Sequence, residues 1–471
     1  MTLVYDALVA LAPDDTYESR LASGYTVSPD ATTYTFRLRP NVKWSDGQPF
    51  TSKDVAFTFK LLMTPDVSAH AAKLTDVKGR ADFVAGKTTE VTGFRTPDTN
   101  TFVIELERPN SALISALSWP FIGILPEHVL GQVPPKSLAT HQFFLAPTVG
   151  LGPFKFVKWE TDQYIELDRN PSYWRSVSID KIFIREMAAD VANAALEKGE
   201  LDIAITNAQD ADRLDKLPKV TVDSAPNPGI NLISLANDKA PFNDVRVRQA
   251  LLYAIDRKGI INTVHGGRGT IVNTHMRAPG TVPQGLEAYD YSPTKAKQLL
   301  ADAKWDPSYV IKMQWIKGVK DRDQTNEIVQ ANLAAVGVKM ELQPYERGPL
   351  LDAYRLRTFD ATAYGGGIYT IDGDSVTVPI ACAQAYPKGT NITHYCNQRV
   401  DDLLARARSI SDEAEKKRLY QEVAKISNTE VTNLWLNVAD TLYARSDRLK
   451  GFKPYGDFTQ FLLTASSWTL Q

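Results

Sequence analysis

Cysteine is nearly absent from this chain. Two residues, Cys382 and Cys396, stand in 471, which excludes a small disulfide-stapled scaffold and a cysteine-rich zinc module. Their closeness in sequence leaves two readings, a disulfide or a pair of buried thiols. A bridge closing a loop of about 15 residues would add roughly 3 kcal/mol in the chain-entropy treatment. Metal ligands are sparse as well. Only His394 lies near the cysteines, CxxC spacing is missing, and His70, His128, His141, His265 and His275 are scattered without an HExxH motif or an i, i+4 pair, so no metal is expected. No run approaches about 18 apolar residues, so no membrane-spanning helix is expected. The formal net charge of −2 offers no electrostatic reason for nucleic acid or an anionic membrane as partner. There is no tandem repeat, no low-complexity tract, no GxSxG elbow and no nucleophile–base set that spacing supports. Neither an enzyme class nor a cofactor follows from the residues.

What remains is ordinary globular chemistry, 43% hydrophobic and 23% charged. A chain this long splits into two or three domains. Period-two alternation predicts strands at Thr33–Arg39, with Tyr34, Phe36 and Leu38 on one face, and at Thr101–Glu107, with Phe102, Ile104 and Leu106. Thr51 and Asp54 form a candidate capping box before a helix that stops at Pro65. Asn243 is the candidate cap of a helix through DVRVRQALLYAIDRKGII, where Arg246 and Arg248 read as surface charges or structural ion pairs. Ser292 and Pro293 open another helix, and a helix through 327–335 ends at Gly337 before the strand VKMEL. Two more helices fill Asn397–Ile410 and Asp412–Asn428. The mixture predicts an α/β protein. APNPGIN (Ala225–Asn231) is the best boundary candidate, with ARSDRLKGF (Ala444–Phe452) second.

One stretch stands apart, AYGGGIYTIDGD from Ala363 to Asp374. No GK[ST] follows Gly365, Gly366 and Gly367, so it is not a phosphate-binding Walker loop. Asp372 and Asp374 lack the further ligands of a calcium loop and read as an acidic, solvated turn. The glycines form either a bulge with positive φ or a place where backbone N–H and C=O groups approach a ligand unobstructed by Cβ.

Several segments together resemble the dipeptide- and oligopeptide-type solute-binding proteins of bacterial ABC transporters, a class that also takes nickel complexes, opines and some sugars. They are YTFRLRPNVKWSDGQPFTSKDVAFTF (34–59), GLGPFKFVKW (150–159), LDRNPSYW (167–174), ALEKGELDIAI (195–205), APFNDVRVRQALLYAIDRKGII (240–261), YSPTKAKQLLADAKWD (291–306) and IVQANLAAVGVKMEL (328–342). The resemblance implies a two-lobed, type II periplasmic-binding-protein-like fold with an extra subdomain in lobe 1. It places that subdomain and the start of lobe 1 in residues 1–130. The rest of lobe 1 is 131–229, completed by 447–471, and lobe 2 is 230–446. It implies capture of a peptide or peptide-like solute between the lobes, without catalysis, by a monomer that delivers it to ABC permease subunits with their ATPase. The implied compartment is the periplasm, although MTLVYDALVALAPDD opens without a basic leader and would by itself suggest a cytosolic chain. In peptide binders of this class the stretch matching 363–374 carries an aspartate for the ligand's amino group; Tyr369 holds that position here, leaving Asp372 or Asp374 as substitutes. The resemblance also turns Tyr364 and the three glycines toward the ligand, with Tyr345, Glu346 and Arg347 in a cleft turn. Trp119 reads as a core aromatic or a cleft wall, and Asn231 as a contact in the crossing segment. Asn391-Ile-Thr393 matches a glycosylation sequon by chance. Two rival readings are a hydrolase of peptides or glycosides and a ligand sensor on the same fold.

Overall fold

The computed structural model describes residues 2–14, 16–64, 67, 74, 76–138, 140–366, 372–374, 378–410, 412–457 and 459–471. Near the start, the alternating stretches become strands because their apolar side chains share a face. β1 (Ala22–Val27), β2 (Thr33–Leu38), β3 (Phe94–Asp98) and β4 (Thr101–Glu105) form an antiparallel sheet in the order β1-β2-β4-β3. Helix α1 (Ser52–Met63) packs on it. It starts at the expected capping box, in which Thr51 N–H donates to Asp54 Oδ2 at 2.8 Å. Phe59 of α1 and Phe102 of β4 are fully buried and meet edge to face at 5.5 Å; burying a side chain of this size contributes about 1.5–3 kcal/mol. A second antiparallel sheet follows, β5 (Phe154–Glu160), β6 (Tyr164–Arg169) and β7 (Lys181–Ile184).

The largest sheet carries the second half of the chain. In order come β8 (Ile203–Thr206), α2 (Ala208–Leu214), β9 (Val220–Pro226), β10 (Ile230–Leu235), α3 (Val245–Ala254), α4 (Arg257–Val264), β11 (Gly269–Ile271), α5 (Pro293–Asp302), β12 (Val310–Ile316), α6 (Lys320–Ala334), β13 (Lys339–Tyr345), α7 (Arg347–Leu356), β14 (Ala361–Gly366), α8 (Gln398–Arg408), α9 (Glu413–Glu430) and β15 (Leu434–Ser446). The strand order is β8-β15-β10-β14-β12-β13, with β9 and β11 also paired to β15. β15 is the common member. Up to Ala439 it pairs with β10 and β11, and from Asp440 it pairs with β8 and β9.

The apolar cores divide at the same place. One core runs from Leu3 to Val177 and takes in Tyr443, Leu449, Tyr455, Phe461 and Trp468 of the C-terminal stretch. A second runs from Ile230 to Val438, and a third joins Met276 to 380–424. Two packed bodies are therefore connected by two adjacent antiparallel segments, one through 226–231 and one through 437–441.

Some local expectations change. DVRVRQALLYAIDRKGII is two helices, because Asp256 caps a new start by accepting from Gly259 N–H at 2.8 Å. The cap of α3 is Asp244 rather than Asn243. Arg248 is neither a surface charge nor an ion-pair member: it is buried, and its guanidinium donates to the carbonyls of Phe242, Glu430 and Val431. Arg246 is exposed and pairs with Asp244 at 2.7 Å. Helix α6 begins at Lys320, seven residues before the predicted start, because the polar first turns hide its period. Ser292 and Pro293 do open α5, and Gly337, with φ +84°, follows α6. ARSDRLKGF does not open a linker, since β15 continues through Ser446.

Candidate functional site

Strand direction brings most of the sequence candidates to one edge of the large sheet. β12 runs parallel to both β13 and β14, so the carboxyl ends of all three point the same way. β10 is antiparallel to β14 and so contributes its amino end there, with Ile230 opposite Gly366 and Asn231 opposite Gly365. In open α/β sheets the carboxyl edge is where ligands sit. Tyr345 closes β13 opposite Ile316 of β12, two residues past Gln314, the last β12 residue paired with β14. Tyr345 is half-buried against Leu350, Tyr354 and Phe359. Glu346 is exposed at the N-cap of α7 and pairs with Lys317 at 2.7 Å, and Arg347 is exposed.

Gly365 and Gly366 continue the strand instead of turning. β12 bonds β14 only at Ala361 and Thr362. On that side, Ala363–Gly366 have no strand partner among the described residues. β14 lies inside the sheet, between β10 and β12, so among the described residues this is an unpaired overhang on its β12 side, with backbone groups able to bond an added extended chain. Gly367 and Tyr369 lie outside the described residues.

Asn231 occupies the crossing. Its Nδ2 donates to Asn437 Oδ1 at 3.0 Å, linking β10 to β15 where the register shifts by one residue. Next to it, Asn227 Nδ2 donates to Thr441 Oγ1 at 3.1 Å, and the Arg277 guanidinium donates to the Asn227 carbonyl. The paired strands hold the crossing at a fixed spacing.

Asp372 and Asp374 are not a solvated turn. Asp374 N–H donates to Asp372 Oδ1 at 2.8 Å, and Asp374 pairs with Arg408 of α8 at 2.6 Å. Burial raises the Asp374 carboxyl above the usual carboxylate range, with Arg408 opposing the shift. Gly373 lies against the Tyr420 ring, where a Cβ would fall 2.6 Å from Cδ2. Asp372 also reaches the first body electrostatically. Burial is the main cause that raises the Tyr17 and Tyr34 hydroxyls, and the Asp372 charge adds to it. Cys382 and Cys396 are joined as a disulfide, so of the two readings of the pair the bridge is the one observed.

Trp119 sits in the first body, half-buried, with its ring 6.1 Å from Phe121. It lines a cavity of about 20 Å³ with Tyr5, Ser118, Gly123 and Leu463. It is therefore placed by a different core from the glycine strand. Sequence reasoning passed over three residues. Asn437 is a lone amide in the buried run LWLNVAD, which is itself a signal because burying an amide is costly. Arg277 had no local signal. Ser111, whose N–H donates to the Arg408 carbonyl at 3.4 Å, had none either, because that contact joins residues far apart in the chain.

The profile of the bacterial extracellular solute-binding proteins, family 5 middle region, matches residues 16–387. An ABC transporter peptide-binding protein of Brucella ovis is 30% identical over 448 residues, 92% of this chain and 81% of its own length. Heme-binding protein A of Haemophilus influenzae is 29% identical, over 96% of this chain and 85% of its own. The oligopeptide-binding protein of Bacillus subtilis, solved with a nonapeptide, superposes with a TM-score of 0.83 at 23% identity, over 100% of this chain and 93% of that one. That last likeness concerns the fold alone.

Proposed function

The chain belongs to the bacterial extracellular solute-binding proteins of family 5, and on that premise we propose that it closes two lobes around a peptide or peptide-like small solute and releases it, chemically unchanged, to a membrane permease. It is the solute-binding component of an ABC importer. The observation that carries the ligand reading is the overhang of Ala363–Gly366, unpaired on its β12 side among the described residues, at the carboxyl end of the sheet beside the double crossing. An extended solute adding to that edge gains backbone hydrogen bonds without any requirement on its side chains.

The lobes in this proposal are 1–229 with 447–471 and 230–446; the change of partners in β15 at Ala439–Asp440 supports a return crossing a few residues earlier. Rotation about two adjacent antiparallel crossings is a hinge. Tyr345, Glu346, Arg347, Tyr364, Gly365, Gly366, Gly367, Tyr369, Asp372, Trp119 and Asn231 form the contact set. The protein works as a monomer in the periplasm; among the described residues no helix is long and apolar enough to cross a membrane. With Tyr369 at the position of the amine-binding carboxylate, a solute without a standard free peptide N-terminus fits at least as well as a free peptide, for which Asp372 or Asp374 would be the substitute anchor. A charge-assisted bond of about 1.5–3 kcal/mol is forgone, roughly ten- to a hundredfold in affinity for a free amine.

Native mass spectrometry of the purified protein tests the reading by showing what solute travels with it. Calorimetry of that solute against Tyr369→Ala is expected to show weaker binding at an unchanged melting temperature. Unchanged affinity would remove this loop from the site, and release of a cleaved product would replace capture with hydrolysis.

A further inference from the structure

Asn437 presents a buried polar atom that the protein does not satisfy. Its side chain is fully buried in β15, flanked by Leu436 and Val438. Oδ1 accepts from Asn231 Nδ2, while Nδ2 has no hydrogen-bond partner among the described residues. An unpaired buried donor costs about 1–3 kcal/mol, and a chain that needed only a strand here would have no use for it.

Three features of its surroundings bear on what completes it. Residues directly opposite in an antiparallel ladder share a face. Asn437, Asn231 and Gly365 are opposite one another on β15, β10 and β14, so they form one row across the sheet. The row reaches Gly365, which has no side chain to cover the amides and lies in the part of β14 that is unpaired on its β12 side among the described residues. The register shift also falls here: Asn231 pairs with Asn437 but Leu232 pairs with Trp435, and an inserted residue of this kind re-aims a side chain, often beside a site.

We infer that Asn437 is a solute-reading residue: its Nδ2 donates to an uncharged acceptor on the bound solute, an amide carbonyl in the peptide-like class, with Asn231 holding the amide in orientation. This rests on the capture reading above and narrows it. An amide N–H rewards a carbonyl oxygen and gives nothing to an ammonium group, which is consistent with Tyr369 standing where a carboxylate would bind one. The preferred solute is one whose leading end carries a carbonyl in place of a charged amine, such as an N-acylated or cyclic peptide.

The test uses an equimolar mixture of tripeptides, half of them N-acetylated, followed by native mass spectrometry and calorimetry on the unaltered chain and on Asn437→Leu and Asn231→Ser. Leucine is close in volume and stays folded without the donor; serine leaves Asn437 intact but unheld. The unaltered protein is expected to retain acetylated peptides preferentially. Each variant should lose about tenfold in their affinity, with the acetylated-over-free preference reduced. A variant that changes melting temperature but binds acetylated peptides as before would show that Asn437 serves strand register only, and would overturn the inference alone. Preference for free peptides by the unaltered chain would overturn it too. Binding of neither kind would overturn the peptide-capture reading, and this inference with it.

Discussion

Asp6 and Arg20 form an ion pair in which each side chain is only 1% exposed. The Tyr173 hydroxyl donates to Asp6 Oδ2 at 3.1 Å, Trp174 Nε1 donates to it at 2.9 Å, and Arg20 donates to the Tyr173 hydroxyl at 3.0 Å. The network fastens the first residues of the chain to the segment after β6. Nothing in LVYDALV announces it, because its partners are up to 168 residues away.

Asp6→Asn leaves the buried Arg20 guanidinium with only the partly exposed Glu18 carboxylate, 3.8 Å away, as counter-charge. Breaking such a pair from one side costs about 3–5 kcal/mol. The urea midpoint of Asp6→Asn is expected to fall accordingly, while Asp6→Leu with Arg20→Met recovers much of the loss. A double variant no better than the single one would contradict this account.

His275 sets a pH limit. Its ring is buried in the second half of the chain, with Asn433 Nδ2 donating to Nε2 at 3.0 Å and Nδ1 facing Ser427 Oγ at 3.1 Å. Burial alone lowers its pKa to about 4, because a second ring proton would face the Asn433 amide hydrogens in a dry site. The unfolded chain takes up its proton near pH 6.5, the folded chain only near 4. Stability from this group is thus complete above 6.5 and is lost as pH falls from 6.5 to 4, roughly 3 kcal/mol in all. Denaturant melts at pH 7 and 4.5 should show a smaller difference for His275→Gln than for the unaltered protein; equal differences would rule His275 out as the cause.

Ser111 links the two bodies. Its N–H and hydroxyl donate to the carbonyls of Arg408 and Ala407, at 3.4 and 3.5 Å. These are C-terminal carbonyls of α8, which the helix cannot satisfy itself. A cap supplied by the opposite body exists only while the bodies are together. Ser111→Ala removes the hydroxyl part, so solute affinity should fall two- to fivefold, on the order of 0.5–1 kcal/mol, with little change in melting temperature. Calorimetry beside small-angle scattering would read both; equal affinity would exclude this contact from closure.

Local signals carried the element types. Tyr34, Phe36 and Leu38 announced β2 because a strand alternates its faces, and Thr51 with Asp54 announced α1 because capping is a bond between neighbours. The split of α3 from α4 was missed because Asp256 reads as a helix-surface charge until its bond to Gly259 is seen.

By itself, then, the sequence determined the types of its clearly patterned elements, such as β2 and α1, and, through its family-wide pattern, the kind of protein this is. Only the tertiary structure decided that Tyr345, Gly365 and Asn231 share one sheet edge, that Asn437 stands beside them with a donor unspent, and that Ser111 caps a helix in the other body. Strand order and register are set by packing between residues tens to hundreds of positions apart. No local pattern of polarity or spacing encodes which strand lies beside which.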